Sequence, residues 1–435
     1  MENFDQSLEY VYSRGASNGD HNLEKIKRML EFFDNPQDKI KTIHIAGTNG
    51  KGSTAKMLAN VLGKKVKCGI FTSPFMEKIN EEISINGVDI SDEDFINLVN
   101  RLRPFAEKLD DDGYHITYFE FLTAMMYLYF YEKEVDVAVI EVGLGGTLDS
   151  TNIIKKPLAS VITSISMDHT NILGSSLEEI AENKAGIIKE NIDVFSYPQK
   201  DQAFKVIEKV AKEKKSNLYT FDKDEIKIIS EDENGNTFDF RTYKNIKTKI
   251  IGDHQIYNAC LTLMVLDSIK NEFGLEEKDI RDGIYETYNP ARLDIICKNP
   301  RIILDGSHNK ESIDALVDSL KLFDYEKLIV GFSVLKDKDH KYIIEKIANK
   351  ADKLIVTQID DNPRAMDAYD IQKEAKIFMD DVEVIKDNEE AFVYSKSQAG
   401  KNDLIIWCGS LYLVGRLLAF KDERDDWYKN KIFIL

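Results

Sequence analysis

The chain has 435 residues, more than one hydrophobic core usually serves, so two or three domains are expected. Its 58 Lys and Arg stand against 76 Asp and Glu, and the formal charge of −18 excludes a general nucleic-acid or anionic-membrane surface. Any polyanionic ligand must therefore meet a local basic cleft. Residues Met1 to Asp5 carry neither a basic nor an apolar leader, and no long uncharged apolar run follows, so a cytoplasmic protein with no membrane partner is expected. The cysteines at 68, 260, 297 and 408 are scattered and read as buried thiols rather than a zinc or redox pair.

Residues 1 to 39 read as two short helices, with Leu23, Ile26, Met29, Leu30 and Phe33 on one face and Asn35-Pro36 as a stop. An alternating apolar run, Lys39 to Ile43, then leads into His44-Ile45-Ala46-Gly47-Thr48-Asn49-Gly50-Lys51-Gly52-Ser53-Thr54, and helical spacing follows in Lys56 to Leu62. Strand, glycine loop and helix in that order form a phosphate cradle. Glycines let backbone N–H groups converge on an anion, the helix N-terminus adds partial positive charge, and Lys51 can reach the outer phosphates. Gly52 stands where such loops usually have Ser or Thr, so a hydroxyl for Mg²⁺ must come from Ser53 or Thr54. A plain glycine turn is the alternative.

Val66 to Phe71 reads as a second strand, ending in Thr72-Ser73-Pro74. Residues 92 to 110 and 117 to 133 are expected helices, the second apolar on most sides, which makes its Glu120 either a carboxylate at a wet helix end or a substrate-site group. The apolar strand Val135 to Ile140 delivers Glu141 just before Gly143-Leu144-Gly145-Gly146. Ligands of parallel α/β sheets gather at C-terminal strand ends, so Glu141 reads as the acidic, Mg²⁺-holding partner of the phosphate loop, with a strand-end cap as the alternative. Leu158 to Thr163 repeats the pattern and leads to Asp168-His169, a hydrogen-bonded core histidine or a ligand. Residues 176 to 190 form an expected helix carrying Lys184; Asn183-Lys184-Ala185-Gly186 lacks the aspartate of a guanine-reading element.

Short β-prone runs between 216 and 251 surround Asn234-Gly235, a hairpin signal, and predict a small antiparallel appendage. Helix 254 to 273 follows, including Asn258, and the domain joint is placed near Asn289-Pro290-Ala291-Arg292. The expected division is 1–296 and 297–435. Beyond it, strands at 302–304, 328–330, 354–356 and 404–407 alternate with helical stretches, the mark of a second, smaller Rossmann-like α/β domain. Lys336-Asp337-Lys338-Asp339 reads as a solvated loop.

Taken together, the loop His44 to Thr54, Thr72-Ser73-Pro74, Glu141 to Gly146, Asp149-Ser150-Thr151-Asn152, Asp168-His169-Thr170, Lys184 to Lys189, His254-Gln255 with Asn258, Arg292-Leu293, Asp305-Gly306-Ser307-His308-Asn309, Asp337-Lys338-Asp339 and Gly409-Ser410 resemble the folylpolyglutamate synthase and dihydrofolate synthase family of the Mur ligase superfamily. The resemblance implies a P-loop ATPase domain of Mur ligase type with the antiparallel appendage, then the Rossmann-like domain. It implies ATP, two Mg²⁺ ions held by Ser73, Glu141, His169 and a Lys184 carbamylated by CO₂, and a triphosphate cradled by the loop Gly47 to Thr54. Asn258, Arg292 and Asp305 would bind adenine, phosphate and ribose across the domain joint, with His308 near the phosphate and amino-acid end. Lys51, Lys184, His169 and His308 would be the catalytic set. The implied reaction adds L-glutamate to a folate-type carboxylate through an acyl phosphate, in a monomer with small-molecule partners and no nucleic acid.

The chain departs from the family where Phe75-Met76 replace His and Leu, Glu82 replaces Arg, Thr147 replaces Arg, and Ala291 replaces Gly. Two arginines and a histidine are thus lost on the acid-substrate side. That leaves two alternatives to folate ligation: the same chemistry on another acid, and an ATP-dependent regulatory binding protein.

Overall fold

The computed structural model describes residues 1–16, 22–360 and 362–423, with side chains up to residue 420. Residues 424–435, the end of the expected second domain, lie outside the described residues. By internal contacts the chain divides into a first unit (1–75, 79–226 and 257–287) and a second unit (76–78, 227–256 and 288–435).

Among the described residues, the first unit is built on an eight-stranded sheet in the order Val88–Asp89, Ile83–Ile85, Cys68–Phe71, Val137–Glu141, Thr42–Ala46, Ala159–Ile162, Val194–Ser196 and Leu218–Tyr219. The strands from Cys68–Phe71 onward run parallel, and the first two form an antiparallel edge. Thr42–Ala46 and Val137–Glu141 are buried at every position, the polar Thr42, His44 and Glu141 included, as central strands of a parallel sheet are. Around them, one core gathers Phe71, Ile140 and the apolar length of the helix Tyr118–Glu132, and another gathers Ile162, Ile180 and Ile207 beneath the helices Leu177–Ala185 and Asp201–Glu213.

Register fixes the functional edge. Ile45 pairs with Glu141, Ala46 with Ile162, and Phe71 with Ile140, so the Gly47 turn, Glu141, Thr72-Ser73 and the segment from Thr163 all leave neighbouring strands at the same end. Glu120 is settled here as structural: its carboxylate accepts the Thr117 backbone N–H and hydroxyl, both at 2.8 Å, in a capping box that starts the Tyr118 helix. The helix bearing Lys184 stops at Ala185 rather than 190, with Gly186 at its C-cap and Ile187 and Ile188 buried beyond it.

The second unit holds a six-stranded sheet in the order Asp294–Lys298, Arg301–Leu304, Leu404–Cys408, Leu328–Phe332, Lys353–Val356 and Val382–Val384. All but the first strand, an antiparallel edge, run parallel, and helices alternate with them. Val382–Val384 escaped the sequence reading because three residues are too few to show a period. The expected antiparallel piece is a meander, Ile226–Asp232, Gly235–Phe240 and Tyr243–Thr248, turning at Asn234-Gly235. By contacts it groups with the second unit, and the helix Asp253–Phe273 changes unit at Tyr257, so the compact units do not follow the expected division at residue 296.

Candidate active site

The phosphate loop is moulded onto its neighbours by backbone contact. A Cβ at Gly47 would sit 1.8 Å from Thr163 Oγ1, so only glycine lets the turn lie against the end of the adjoining strand. Thr48 N–H donates to Ser164 O at 2.7 Å, and the Thr48 hydroxyl bonds both Ser166 N (3.1 Å) and Ser166 O (3.2 Å). Gly50, at φ +85°, turns the chain into the helix Lys51–Leu62 without a side-chain cap. A helix N-terminus with no side chain capping it is the arrangement that receives anions. Asn258 lies against this turn, with its Oδ1 2.5 Å from where a Gly50 Cβ would be.

Lys51 Nζ lies 3.7 Å from Glu141 Oε1 and 3.4 Å from Thr48 O. Glu141 is buried at its strand end, and a Cβ on Gly52 would point at its Oε2 from 3.4 Å. The residue after the lysine thus faces the acidic partner. Ser53 and Thr54 are buried in the first turn, and Thr54 Oγ1 has no hydrogen-bond partner among the described residues.

Lys184 reaches the same loop from its own helix: Nζ donates to Gly47 O at 2.7 Å and the side chain is 4% exposed. Burial, helped by the charge of Lys51 and opposed by Asp168 and Asp149, pulls its ammonium pKa down to about 7. His169, at φ +48°, caps the short helix Thr170–Leu173, with Nε2 4.0 Å from Asp168 Oδ2. Ser73 follows the strand Cys68–Phe71 and is half-buried.

Sequence reasoning gave no role to the polar network that braces this site. Asp149 accepts the Leu144 and Thr151 N–H groups and the Thr151 hydroxyl. With that hydroxyl proton spent, His44 Nε2 donates to Thr151 Oγ1 at 2.9 Å; burial lowers the His44 pKa to about 3, so the ring is neutral. Asn152 Nδ2 donates to Thr147 O (3.0 Å) and Gly186 O (3.1 Å), and its Oδ1 accepts from Lys189 Nζ (2.7 Å). These bonds tie the glycine loop after Glu141 to the end of the Lys184 helix. The polar quartet Asp149 to Asn152 between apolar runs was the available signal.

Glu82 is a second surprise. It is 3% exposed, its Oε2 has no hydrogen-bond partner among the described residues, and burial pushes its pKa up to about 8; the Phe75 N–H opposes this, while Glu141 and Glu81 add to it.

In the second unit, Arg292 lies between two residues in the left-handed region, Ala291 (φ +57°) and Leu293 (φ +46°), and its Nη1 donates to Ala291 O at 3.1 Å. Asp305 Oδ2 accepts Leu293 N–H (2.8 Å) and Oδ1 accepts Ser307 N–H (2.9 Å). His308 Nδ1 is 2.8 Å from Gly306 O, which leaves Nε2 on the outer side of the ring, and Asn309 caps the helix Lys310–Ser319.

Among the described residues, no group of three or more His, Cys, Asp or Glu is gathered to hold a metal ion. Mg²⁺ usually takes one or two carboxylates together with substrate phosphates, so buried Glu141 beside the loop suits a first ion.

A strand–glycine loop–helix unit with a lysine and a strand-end carboxylate, followed by a parallel α/β unit, defines a Mur-type ATP-dependent ligase. The Mur ligase middle domain matches residues 45–266 and the Mur ligase glutamate ligase domain matches 291–411. The dihydrofolate synthase/folylpolyglutamate synthase of Bacillus subtilis is 36% identical over 404 residues, covering 90% of this chain and 93% of that protein. The crystal structure of Mycobacterium tuberculosis folylpolyglutamate synthase complexed with ADP and AMPPCP superposes with a TM-score of 0.87 at 28% identity, covering 96% of this chain and 98% of that one. An FPGS–AMPPCP–folate complex superposes with a TM-score of 0.84 at 29% identity, covering 96% and 99%. The chain belongs to the folylpolyglutamate synthase/dihydrofolate synthase family of Mur ligases.

Proposed function

We propose that the protein joins the amine of L-glutamate to the carboxylate of a folate-type acid, dihydropteroate or a reduced folyl-glutamate, with ATP cleaved to ADP and phosphate. The observation that carries this reading is the convergence of Lys51, Glu141 and Lys184 on one glycine loop, with Lys51 Nζ 3.7 Å from Glu141 and Lys184 Nζ on Gly47 O. Loop N–H groups from Gly47 to Thr54 cradle the phosphates, Lys51 neutralises the outer ones, and Asn258, lying on Gly50, faces the base. An oxygen of the acid's carboxylate bonds to the γ-phosphorus while the bond to ADP breaks. Glutamate's amine then attacks the acyl carbon, loses a proton, and phosphate leaves. Arg292 offsets charge developing on the transferred group, and His308 serves the phosphate and amino-acid end.

Ser73, Glu141 and His169 would hold Mg²⁺, two ions in all when Lys184 joins them. Mg²⁺ when bound would neutralise phosphate charge. Lys184 fits that role after reacting with CO₂: its neutral amine forms the N–C bond, releases a proton and becomes an anionic oxygen donor. A pKa near 7 makes the neutral amine available. We place the enzyme in the cytoplasm as a monomer.

A second reading, the same ligation on a different acid, is favoured by Glu82, a buried carboxyl where the family has a cation. Oxygen-18 in the acid's carboxylate separates the outcomes. With dihydropteroate or tetrahydrofolate, label should pass into inorganic phosphate as the glutamyl amide forms. Phosphate release unlabelled and indifferent to any pterin would sink the folate assignment.

A further inference from the structure

The loop that carries Ser73 is held from outside itself, by one residue at the start of the next strand. Cys68–Phe71 pairs antiparallel with Ile83–Ile85, and Phe71 sits opposite Ile83, so the register places Glu82 beside Thr72. Thr72 N–H donates to Glu82 O at 3.1 Å. At the other end of the loop, the Phe75 N–H donates to the Glu82 side-chain carboxyl. Main chain and side chain of one glutamate thus take N–H groups at both ends of Thr72-Ser73-Pro74-Phe75. Pro74 has no N–H to give. Ser73, between the two attachments, makes no hydrogen bond to any described residue. Its hydroxyl is therefore open to a ligand, and the attachments on either side are what aim it.

The Glu82 carboxyl is placed for this loop rather than for a substrate. The residue is 3% exposed, and its Oε2 is closed off from solvent with no hydrogen-bond partner among the described residues. Burial holds the carboxyl in its protonated form up to about pH 8, so at neutral pH it offers one carbonyl oxygen and one hydroxyl, much as an amide offers an oxygen and an N–H.

We infer that Glu82 is a positioning residue that clamps the Ser73 loop at both ends and so fixes the direction in which the Ser73 hydroxyl meets Mg²⁺. The inference rests on the reading of Ser73 as a metal ligand. A group that orients a ligand tunes metal affinity without touching the metal. What residue 82 must supply is then an acceptor at the right reach, and neither its charge nor its proton is needed.

The test uses the full-length chain with Glu82→Gln, Glu82→Met and Glu82→Asp. The first keeps a carbonyl oxygen at the same reach, the second keeps the length and loses the acceptor, and the third keeps the carboxyl one methylene too short. Hydrogen exchange of the metal-free proteins is read in peptides spanning Thr72 to Phe75. It should be alike in wild type and Glu82→Gln, and at least about tenfold faster in the other two. In ligation kinetics the Mg²⁺ concentration for half-maximal rate should rise about tenfold in Glu82→Met and Glu82→Asp, with KM for the acid within about twofold. Glu82→Gln should stay within about twofold of wild type in both quantities.

Glu82→Gln as impaired as Glu82→Met would mean that charge or proton matters, and would overturn the inference. So would unchanged exchange in Glu82→Met, or a raised KM for the acid with the Mg²⁺ requirement intact, which would make Glu82 a selector of the acid. If Glu82→Met is recovered unfolded, Glu82→Asp is read in its place with the same outcomes. Ser73→Ala separates the levels. An unchanged Mg²⁺ requirement in that variant refutes the metal role of Ser73 and the inference with it; a raised one there, with none in Glu82→Met, refutes the clamp alone. A wild type that makes no amide refutes the proposed function, and the exchange rates still decide the clamp.

Discussion

The Gly47–Gly50 turn and the Ala291–Leu293 turn both ask the backbone for left-handed angles, and they meet the demand differently. In the first, Gly50 at +85° supplies the conformation itself, and close packing against Asn258 and Thr163 does the rest. In the second, residues with side chains are held at +57° and +46° by hydrogen bonds from elsewhere. A glycine turn is flexible until its neighbours fix it, whereas a braced turn is fixed only while its brace is intact. The phosphate loop should therefore fail when a side chain is added, and the arginine turn when an acceptor is removed.

The largest effect expected is chemical. Lys184→Ala removes the loop contact at Gly47 and the amine that takes up CO₂; turnover should fall by about 100-fold or more, with ATP affinity held within roughly threefold and partial rescue by small carboxylates. Direct titration of nucleotide alongside product formation reads both, and wild-type turnover in this variant would remove the carbamate proposal.

Gly50→Ala comes next. The new methyl would lie 2.5 Å from Asn258 Oδ1 at a φ disfavoured for alanine, so urea denaturation should show a loss of at least about 2 kcal/mol and KM for ATP should rise.

Glu82→Gln tests the acid-substrate side through pH. In the folded protein Glu82 keeps its proton up to about pH 8, while the unfolded chain releases it near the ordinary glutamate value. The folded state therefore binds the extra proton between those limits, and the stability it contributes is full below the lower one and lost as pH rises through about 8. The amide cannot ionise, so the variant should flatten this decline and be more stable than wild type at pH 8 by roughly 1–4 kcal/mol, with the gap closing toward pH 4. Parallel slopes in melts of the two metal-free proteins would contradict the assignment.

The smallest effect sharpens the comparison most. Ala291→Gly should raise stability by about 1 kcal/mol, opposite in sign to Gly50→Ala, because it supplies the freedom that the brace now replaces. A loss on denaturation would mean that Ala291 is not strained.

The same contrast governs what could be read from sequence. The glycine turn was legible because its conformation is written in its own residues, and Glu141 because a continuous apolar strand delivers it to the ligand edge. Lys184 and Asn258 took their roles from resemblance, since their approach to Gly47 and Gly50 depends on helix packing that no local pattern encodes. The His44, Thr151 and Asp149 network and the Asp305 brace stayed hidden for the same reason: their meaning lies in long-range hydrogen bonds. The three-stranded meander was recognised from Asn234-Gly235, but its grouping with the second unit is a matter of packing alone.

The most direct test of the account is mass detection of products from the purified chain given ATP, Mg²⁺, L-glutamate and either dihydropteroate or tetrahydrofolate. A product heavier than the acid by one glutamyl unit is expected, formed with stoichiometric ADP and absent when any component is left out. ADP release that proceeds alike with and without the pterin acid, and no amide product from either acid, would contradict it.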